Sequence, residues 1–273
     1  MTDGPLGILA GGGELPRRLV AACRNRARAC FVVAFEGHAD AATVVDVAHA
    51  WASLGAAGRV FDLLRAAGVS DVVLAGSIKR PSLSSLMPDA RGAALLARIG
   101  LRALGDDGLL RAVIAELERE GFRVVGADDV LGDLPAPAGV LGRIVPDAQA
   151  RTDIARGVAV ARALGAVDVG QAVVVQQGVV LGVEAAEGTE ALLARAGALR
   201  RDGPGGVLVK LAKPGQERRV DLPTVGVATV GQAAAAGLAG IAIEAGATLM
   251  LDLPGVIAAA DAAGLFLEGL AFQ

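Results

Sequence analysis

Short apolar runs alternate with amphipathic stretches through the first half of the chain. Leu6–Ala10 is an apolar run that stops at Gly11-Gly12-Gly13, and it reads as a buried strand. Residues 15–26 place Leu15, Leu19, Val20 and Cys23 at helical spacing. Residues 31–35 are a second strand candidate. Residues 60–67 are amphipathic and lead through Gly68 into a third strand, Asp71–Ala75. Residues 109–120 align Leu109, Leu110, Val113, Ile114 and Leu117 on one side, and Gly121 supplies the stop that a helix C-terminus favours. Residues 122–126 follow as another strand. Strands separated by helices in this way predict a parallel sheet with right-handed crossovers.

Between about 132 and 150 the periodicity breaks in GDLPAPAGVLGRIVPDAQ, whose prolines and glycines mark a domain boundary. The second half opens with a predicted helix at 152–164. Residues 172–175 and 179–183 flank Gln176-Gln177-Gly178 as a β-hairpin. A helix at 189–198 follows, then strands at 206–211, 225–228, 241–243 and 248–251, with helices near 231–238 and 254–263. The fold class is α/β: a Rossmann-like parallel-sheet domain over 1–134, a linker over 135–149, and an α/β domain with a mixed sheet over 150–273. No repeat of fixed period interrupts this pattern.

Composition narrows the classes. The 273 residues are 53% hydrophobic, 20% charged and 3% aromatic, with 38 Gly and a net charge of −3. Disorder is excluded by the apolar content, and collagen by the absence of a three-residue glycine period. A slightly acidic chain lacks the basic footprint that nucleic acid requires, so no nucleic-acid partner is expected. Val225–Leu253 is the most apolar stretch, but Gln232, Glu244 and its glycines suit a buried core better than a membrane span. MTDGPLGILAGGG has no basic leader, so no signal peptide is expected. Cys23 and Cys30 read as two thiols in a reducing, cytosolic compartment.

Several segments bear candidate chemistry. Strand, glycine turn and helix at Gly11, Gly12 and Gly13, with Pro16 in the first helical turn, is the arrangement that offers backbone N–H groups to an anion; a structural tight turn is the alternative. The spacing matches neither GxGxxG nor GxxxxGK[ST]. Gly76-Ser77-Ile78-Lys79-Arg80-Pro81 follows the third strand, where open α/β sheets bind ligands. Ser77, Lys79 and Arg80 suit a phosphate or nucleoside, unless the loop is only solvated. Asp106 and Asp107 stand just before a predicted helix, as caps or as holders of a cation or ribose hydroxyls. Lys210 to Pro223 gathers two Lys, two Arg, Glu217 and Asp221 beside apolar strands, which suits a diphosphate and Mg²⁺ or an activated water. Thr189 reads as a helix cap, either as that alone or with neighbouring N–H groups available to phosphate, and Glu187 and Glu190 stand at the same mouth. His38 and His49 have no partners at metal-ligand spacing.

Taken in order, LGILAGGGELP (6–16), AGSIKRP (75–81), MPDARG (87–92), GDDGLLRAV (105–113), GFRVVGADDVL (121–131), VEAAEGTEALL (183–193), KPGQERRVDLPTVGVAT (213–229) and AGLAGIAIEAGATLMLD (236–252) resemble the LpxI-type UDP-2,3-diacylglucosamine diphosphatases of lipid A biosynthesis in Gram-negative bacteria. The resemblance covers nearly the whole chain, and the KPxQ…DLPT segment is its most specific part. It implies Mg²⁺-dependent hydrolysis of UDP-2,3-diacylglucosamine to UMP and 2,3-diacylglucosamine 1-phosphate (lipid X), with water attacking the β-phosphorus. It further implies a ligand held between two domains, peripheral work at the inner face of the cytoplasmic membrane, and compatibility with a homodimer. Asp221 matches the family's essential acid in DLP and becomes the catalytic and metal-binding candidate, holding Mg²⁺ or orienting water, with Lys213, Lys210 or an Arg neutralising diphosphate charge. Gly11, Gly12, Gly13, Gly76, Ser77, Arg80, Asp106, Asp107, Thr189, Lys210, Gln216 and Arg219 become substrate-binding candidates. Glu217 and Glu190 stand where the family more often has Asp. Two other classes stay open on the residues alone: a nucleotide-sugar or dinucleotide enzyme of another reaction type, and a UDP-lipid-binding protein without turnover.

Overall fold

The computed structural model describes residues 4–78, 87–99, 106–132 and 134–272. The chain divides into two compact units, residues 1–132 with 217–220, and residues 133–216 with 221–273.

In the first unit, β1 (Leu6–Ala10), β2 (Cys30–Phe35), β3 (His49–Ala52), β4 (Asp71–Ala75) and β5 (Arg123–Val124) form one sheet in the order β3-β2-β1-β4-β5. Every pairing is parallel, with Leu6 opposite both Cys30 and Asp71. The helices are α1 (Glu14–Asn25), α2 (Ala57–Ala66), α3 (Ala90–Ile99), α4 (Asp106–Arg119) and the single turn α5 (Ala127–Leu131). Alternation along the strands builds two buried faces. Leu9, Val33, Phe35 and Val72 pack with Val60, Phe61 and Leu64 of α2 and Ile114 and Leu117 of α4. Leu6, Ile8, Val32 and Ala34, the alternate set, are equally buried. This doubly wound order reverses direction between β1 and β4, and such a reversal opens a crevice at the carboxyl ends of the two strands. The amino end carries a structural ion cluster: buried Asp71 accepts from Arg28 at 2.8 Å and from Arg123 through two bonds of 2.9 Å.

The second unit is mixed, as expected. Its strands are β6 (Gly139–Val140), β7 (Ala172–Gln176), β8 (Val179–Val183), β9 (Val207–Lys210), β10 (Thr224–Val225), β11 (Gly240–Glu244), β12 (Leu249–Met250) and β13 (Phe266–Leu270). Its helices are α6 (Ala148–Ala166), α7 (Gly188–Ala198), α8 (Val227–Ala235) and α9 (Leu253–Ala263). The main sheet runs β6-β13-β11-β9-β7-β8, and β10 pairs separately with β12. Strands β9, β11 and β13 are parallel, whereas β6–β13, β7–β9 and β7–β8 are antiparallel. Val173, Val175, Val207 and Val209 face α6. Val174, Leu208, Ile241 and Leu267 face Leu192 and Leu193 of α7, Val230 of α8 and Val256 of α9. The expected hairpin is present, with Gln177 and Gly178 at φ 52° and 76°; two consecutive positive φ values are the two-residue turn that matches strand twist. Buried Asp153 accepts from both turn amides, Gln177 at 2.9 Å and Gly178 at 2.7 Å.

Within residues 135–149, expected as a linker, β6 pairs with β13, and the Ala136 amide donates to Thr248 O at 2.8 Å. The strand expected at 225–228 ends at Val225, where Gly226 caps α8 and turns Val227 onward into helix. Strands β3 and β13 also form without having been anticipated.

Candidate functional site

The glycine turn after β1 lies beside the turn after β4, at the switch point. A short two-stranded bridge joins them: the Gly12 amide donates to Ser77 O and the Ser77 amide donates to Gly12 O, both at 2.9 Å. The Gly11 amide donates to Ala75 O at 2.8 Å, and the Gly13 amide donates to the Asp40 carboxylate at 2.9 Å. The amides of Gly11, Gly12 and Gly13 therefore already have protein acceptors. The glycines let two loops touch: a Cβ on Gly11 would lie 2.5 Å from Ser77 O, and one on Gly76 would lie 2.5 Å from Gly12 O. Gly13, at φ 94°, faces open space. Gly76 and Ser77 are exposed. Lys79 and Arg80 lie outside the described residues. Asp106 and Asp107 lie in the first turn of α4 rather than preceding it; their side chains are outside the described set.

The second cluster sits at the carboxyl edge of the mixed sheet. Lys210, the last residue of β9, is 7% exposed, and its ammonium donates to Thr189 Oγ1 at 3.0 Å and to Thr224 O at 3.1 Å. Thr189 in turn donates to Glu184 Oε1 at 2.5 Å, and Glu184 Oε2 accepts from the Gln171 amide at 3.2 Å. Burial pushes the Lys210 pKa below its ordinary value, while Glu184 and Asp221 favour the charged form. Asp221 is half-buried within electrostatic reach of that ammonium. The cap expected of Thr189 falls elsewhere, because Glu187 occupies the N-cap position and Gly188, at φ 81°, starts α7.

Lys213-Pro214-Gly215-Gln216 is a turn closed by a 3.1 Å bond from the Gln216 amide to Lys213 O. Proline in its second position and Gly215 at φ 74° in its third give type II turn chemistry. Gln216 is buried: its Oε1 accepts from the Lys213 amide at 2.9 Å, and its Nε2 donates to Gln171 Oε1 at 3.4 Å. Lys213 pairs with Asp168 at 2.6 Å. The charge run therefore divides. Lys210, Lys213, Gln216 and Asp221 belong to the second unit, while Glu217 and Arg219 belong to the first. There Arg219 pairs with Glu217 at 2.9 Å and with Glu118 of α4 at 2.7 Å. Its hydrogen bonds to these carboxylates raise the Arg219 pKa, and the Arg219 side chain lowers that of Glu217.

Sequence reasoning placed Glu184 inside a candidate segment but gave it no role, and it missed Gln171, Asp168 and Asp40. A clue for Glu184 was a carboxylate directly following an apolar strand with no cation nearby in sequence. Among the described residues no group of three or more His, Cys, Asp or Glu side chains could hold a metal ion, and no helix is long and apolar enough to cross a membrane.

A doubly wound unit with a glycine turn at its switch point, joined to a mixed-sheet unit with a buried lysine at the carboxyl end of β9, defines a two-unit α/β protein. Models of the LpxI N-terminal domain and the LpxI C-terminal domain match residues 5–134 and 137–268. A UDP-2,3-diacylglucosamine pyrophosphatase LpxI from Caulobacter vibrioides is 46% identical over 272 residues, spanning 97% of each chain. The chain belongs to the LpxI family.

Proposed function

We propose that this protein hydrolyses UDP-2,3-diacylglucosamine to UMP and 2,3-diacylglucosamine 1-phosphate, with water attacking the β-phosphorus. The observation that carries the reading is Lys210. It is a buried ammonium held at the carboxyl end of β9 within electrostatic reach of Asp221, just before the segment that matches the family's KPxQ…DLPT motif. A cation fixed before the substrate arrives stabilises charge that develops on a diphosphate without reorganising during reaction. Asp221 orients the attacking water and accepts its proton. Lys213, fastened to Asp168, holds the turn that leads into this segment.

Mg²⁺ binds through one or two carboxylates plus substrate phosphates and keeps several waters, so it needs no protein cage. The donor set suits that mode: Asp221, half-buried within electrostatic reach of the Lys210 ammonium, would hold the ion together with the diphosphate oxygens. When bound, it supplies further charge neutralisation on the phosphates. The uridine half is assigned to the switch point of the first unit, along exposed Ser77 and the open face of Gly13 rather than on the committed loop amides. The acyl chains of the substrate reside in lipid, so the enzyme works at the inner face of the cytoplasmic membrane.

The test is release of UMP from UDP-2,3-diacylglucosamine with Mg²⁺, with and without chelator, run in ¹⁸O-labelled water. The label is expected on the phosphate of 2,3-diacylglucosamine 1-phosphate. Label on UMP instead rejects attack at the β-phosphorus, and an undiminished rate in folded Asp221→Asn rejects the role of Asp221.

A further inference from the structure

Glu184 directly follows β8 and its carboxylate is turned inward, 6% exposed for the whole residue. Both oxygens are used, one on the Thr189 hydroxyl at 2.5 Å and the other on the Gln171 amide at 3.2 Å. A threonine hydroxyl has one proton. Because that proton is given to Glu184, Thr189 Oγ1 presents only lone pairs to Lys210, which donates to it at 3.0 Å. The second Lys210 proton goes to Thr224 O at 3.1 Å. With two of the three N–H directions fixed on a tetrahedral ammonium, the third is fixed as well. Glu184 thus sets the polarity of a chain that runs from the Gln171 amide to the Lys210 ammonium.

We propose that Glu184 is a positioning residue that aims the Lys210 ammonium by forcing the Thr189 hydroxyl to accept from it. The rate readout rests on the hydrolase reading above; the orientation readout does not. Glu184→Gln is nearly isosteric but has one acceptor oxygen in place of two. If its NH₂ faces Gln171, two donors meet. If its NH₂ faces Thr189, the hydroxyl proton is driven toward the ammonium. The meeting of two donors disfavours the first arrangement, and in the second Lys210 loses its fixed direction. Glu184→Asp keeps two acceptors and one charge.

The chain has only three lysines, Lys79, Lys210 and Lys213, so ¹⁵N-labelled ammonium signals are few and are assigned with single Lys→Arg variants. A buried, hydrogen-bonded Lys210 is expected to give a slowly exchanging signal in the unaltered protein. Glu184→Gln is expected to broaden or shift it, and Glu184→Asp to restore it in part. With UDP-2,3-diacylglucosamine, Glu184→Gln is expected to lower kcat by about 10- to 100-fold, the range in which supporting groups act, with little change in KM. Thr189→Val is expected to cost a similar factor, and the double variant no more than the worse single one, since both act through one bond. An unchanged Lys210 signal in folded Glu184→Gln overturns the proposal whatever the rate does, and so do additive losses in the double variant. A protein that shows the signal change but hydrolyses no substrate rejects the hydrolase reading and leaves the positioning role standing.

Discussion

Substituting the glycines of the switch-point turn separates two explanations for them. Gly76 has φ 90°, and a Cβ there would lie 2.5 Å from Gly12 O, the acceptor of the Ser77 amide. Alanine at Gly76 carries left-handed strain of about 1–2 kcal/mol and displaces the bridge, at about 1 kcal/mol for each of its two hydrogen bonds. The expected loss is about 3–4 kcal/mol. Gly11 has no positive φ, but its Cβ would lie 2.5 Å from Ser77 O; the bridge term alone predicts about 2 kcal/mol for Gly11→Ala. Gly13 has φ 94° and nothing within 4 Å of an added Cβ, so Gly13→Ala keeps only the strain of about 1–2 kcal/mol. Trp51, the one tryptophan in the chain, lies on β3, so its fluorescence in urea reports the first unit specifically. UMP binding by calorimetry gives the second readout. Gly76→Ala is expected to be the least stable, and Gly13→Ala the variant that loses affinity out of proportion to stability. If Gly11→Ala and Gly76→Ala are as stable as the parent and weaken only UMP binding, the glycines serve ligand approach and the loop-packing argument is wrong.

Asp71→Asn leaves Arg28 and Arg123 without their carboxylate. Breaking a buried pair costs about 3–5 kcal/mol, and the half-exposed Arg123 can turn to water, so the Trp51 urea transition is expected to shift by about 3 kcal/mol; a shift below about 1 kcal/mol rejects a structural role for the cluster. Lys213→Met, which removes a cation already paired with Asp168, is expected to slow UDP-2,3-diacylglucosamine hydrolysis by less than about tenfold, against about 10²–10³ for Lys210→Met; the reverse order would return Lys213 to the chemistry. The hydrogen bond from Cys30 lowers the Cys23 thiol from 9.0 to about 7, with burial opposing and Arg28 and Arg26 assisting, while the same contact and burial raise Cys30. A thiol lowered in the folded state adds stability as pH rises from about 7 to 9, and a raised one removes it above 9. The urea midpoint followed by Trp51 is therefore expected to peak near pH 9, and Cys30→Ser to flatten the profile; a pH-independent midpoint between 7 and 9 excludes the thiol pair as its source.

What could be read from the chain depended on how local the cause was. β1 and β4 were legible because each is a continuous apolar run closed by glycine, and the 172–183 hairpin because Gln-Gly sits between two valine runs. β3 is four residues with polar His49 at its head, paired only to β2, so no periodicity announces it. β13 carries Glu268, which interrupts an apolar run and is answered by Arg151, 117 residues earlier. The site follows the same rule. Lys210 and Thr189 end recognisable elements, but Glu184 is explained only by a hydroxyl on α7 and an amide before β7. Strand–glycine–helix suggested free amides after β1. Ala75, Ser77 and Asp40, which take those hydrogen bonds, come from other elements, and no spacing rule connects them.

The same distinction reorders the cations of the 210–223 segment. In sequence they form one positive run facing a diphosphate. In the fold, Lys213 meets Asp168 and Arg219 meets both Glu217 and Glu118. Much of their charge is answered by carboxylates at hydrogen-bond distance, and a phosphate would have to displace those partners. Lys210 is arranged differently. Its direct acceptors are a hydroxyl and a backbone carbonyl, and the carboxylate of Glu184 stands one bond further back. Neutral acceptors orient an ammonium without cancelling its field, and burial strengthens that field by excluding water. The lysine at the end of β9, before the polar loop begins, is therefore the one that the proposed hydrolysis assigns to an incoming phosphate.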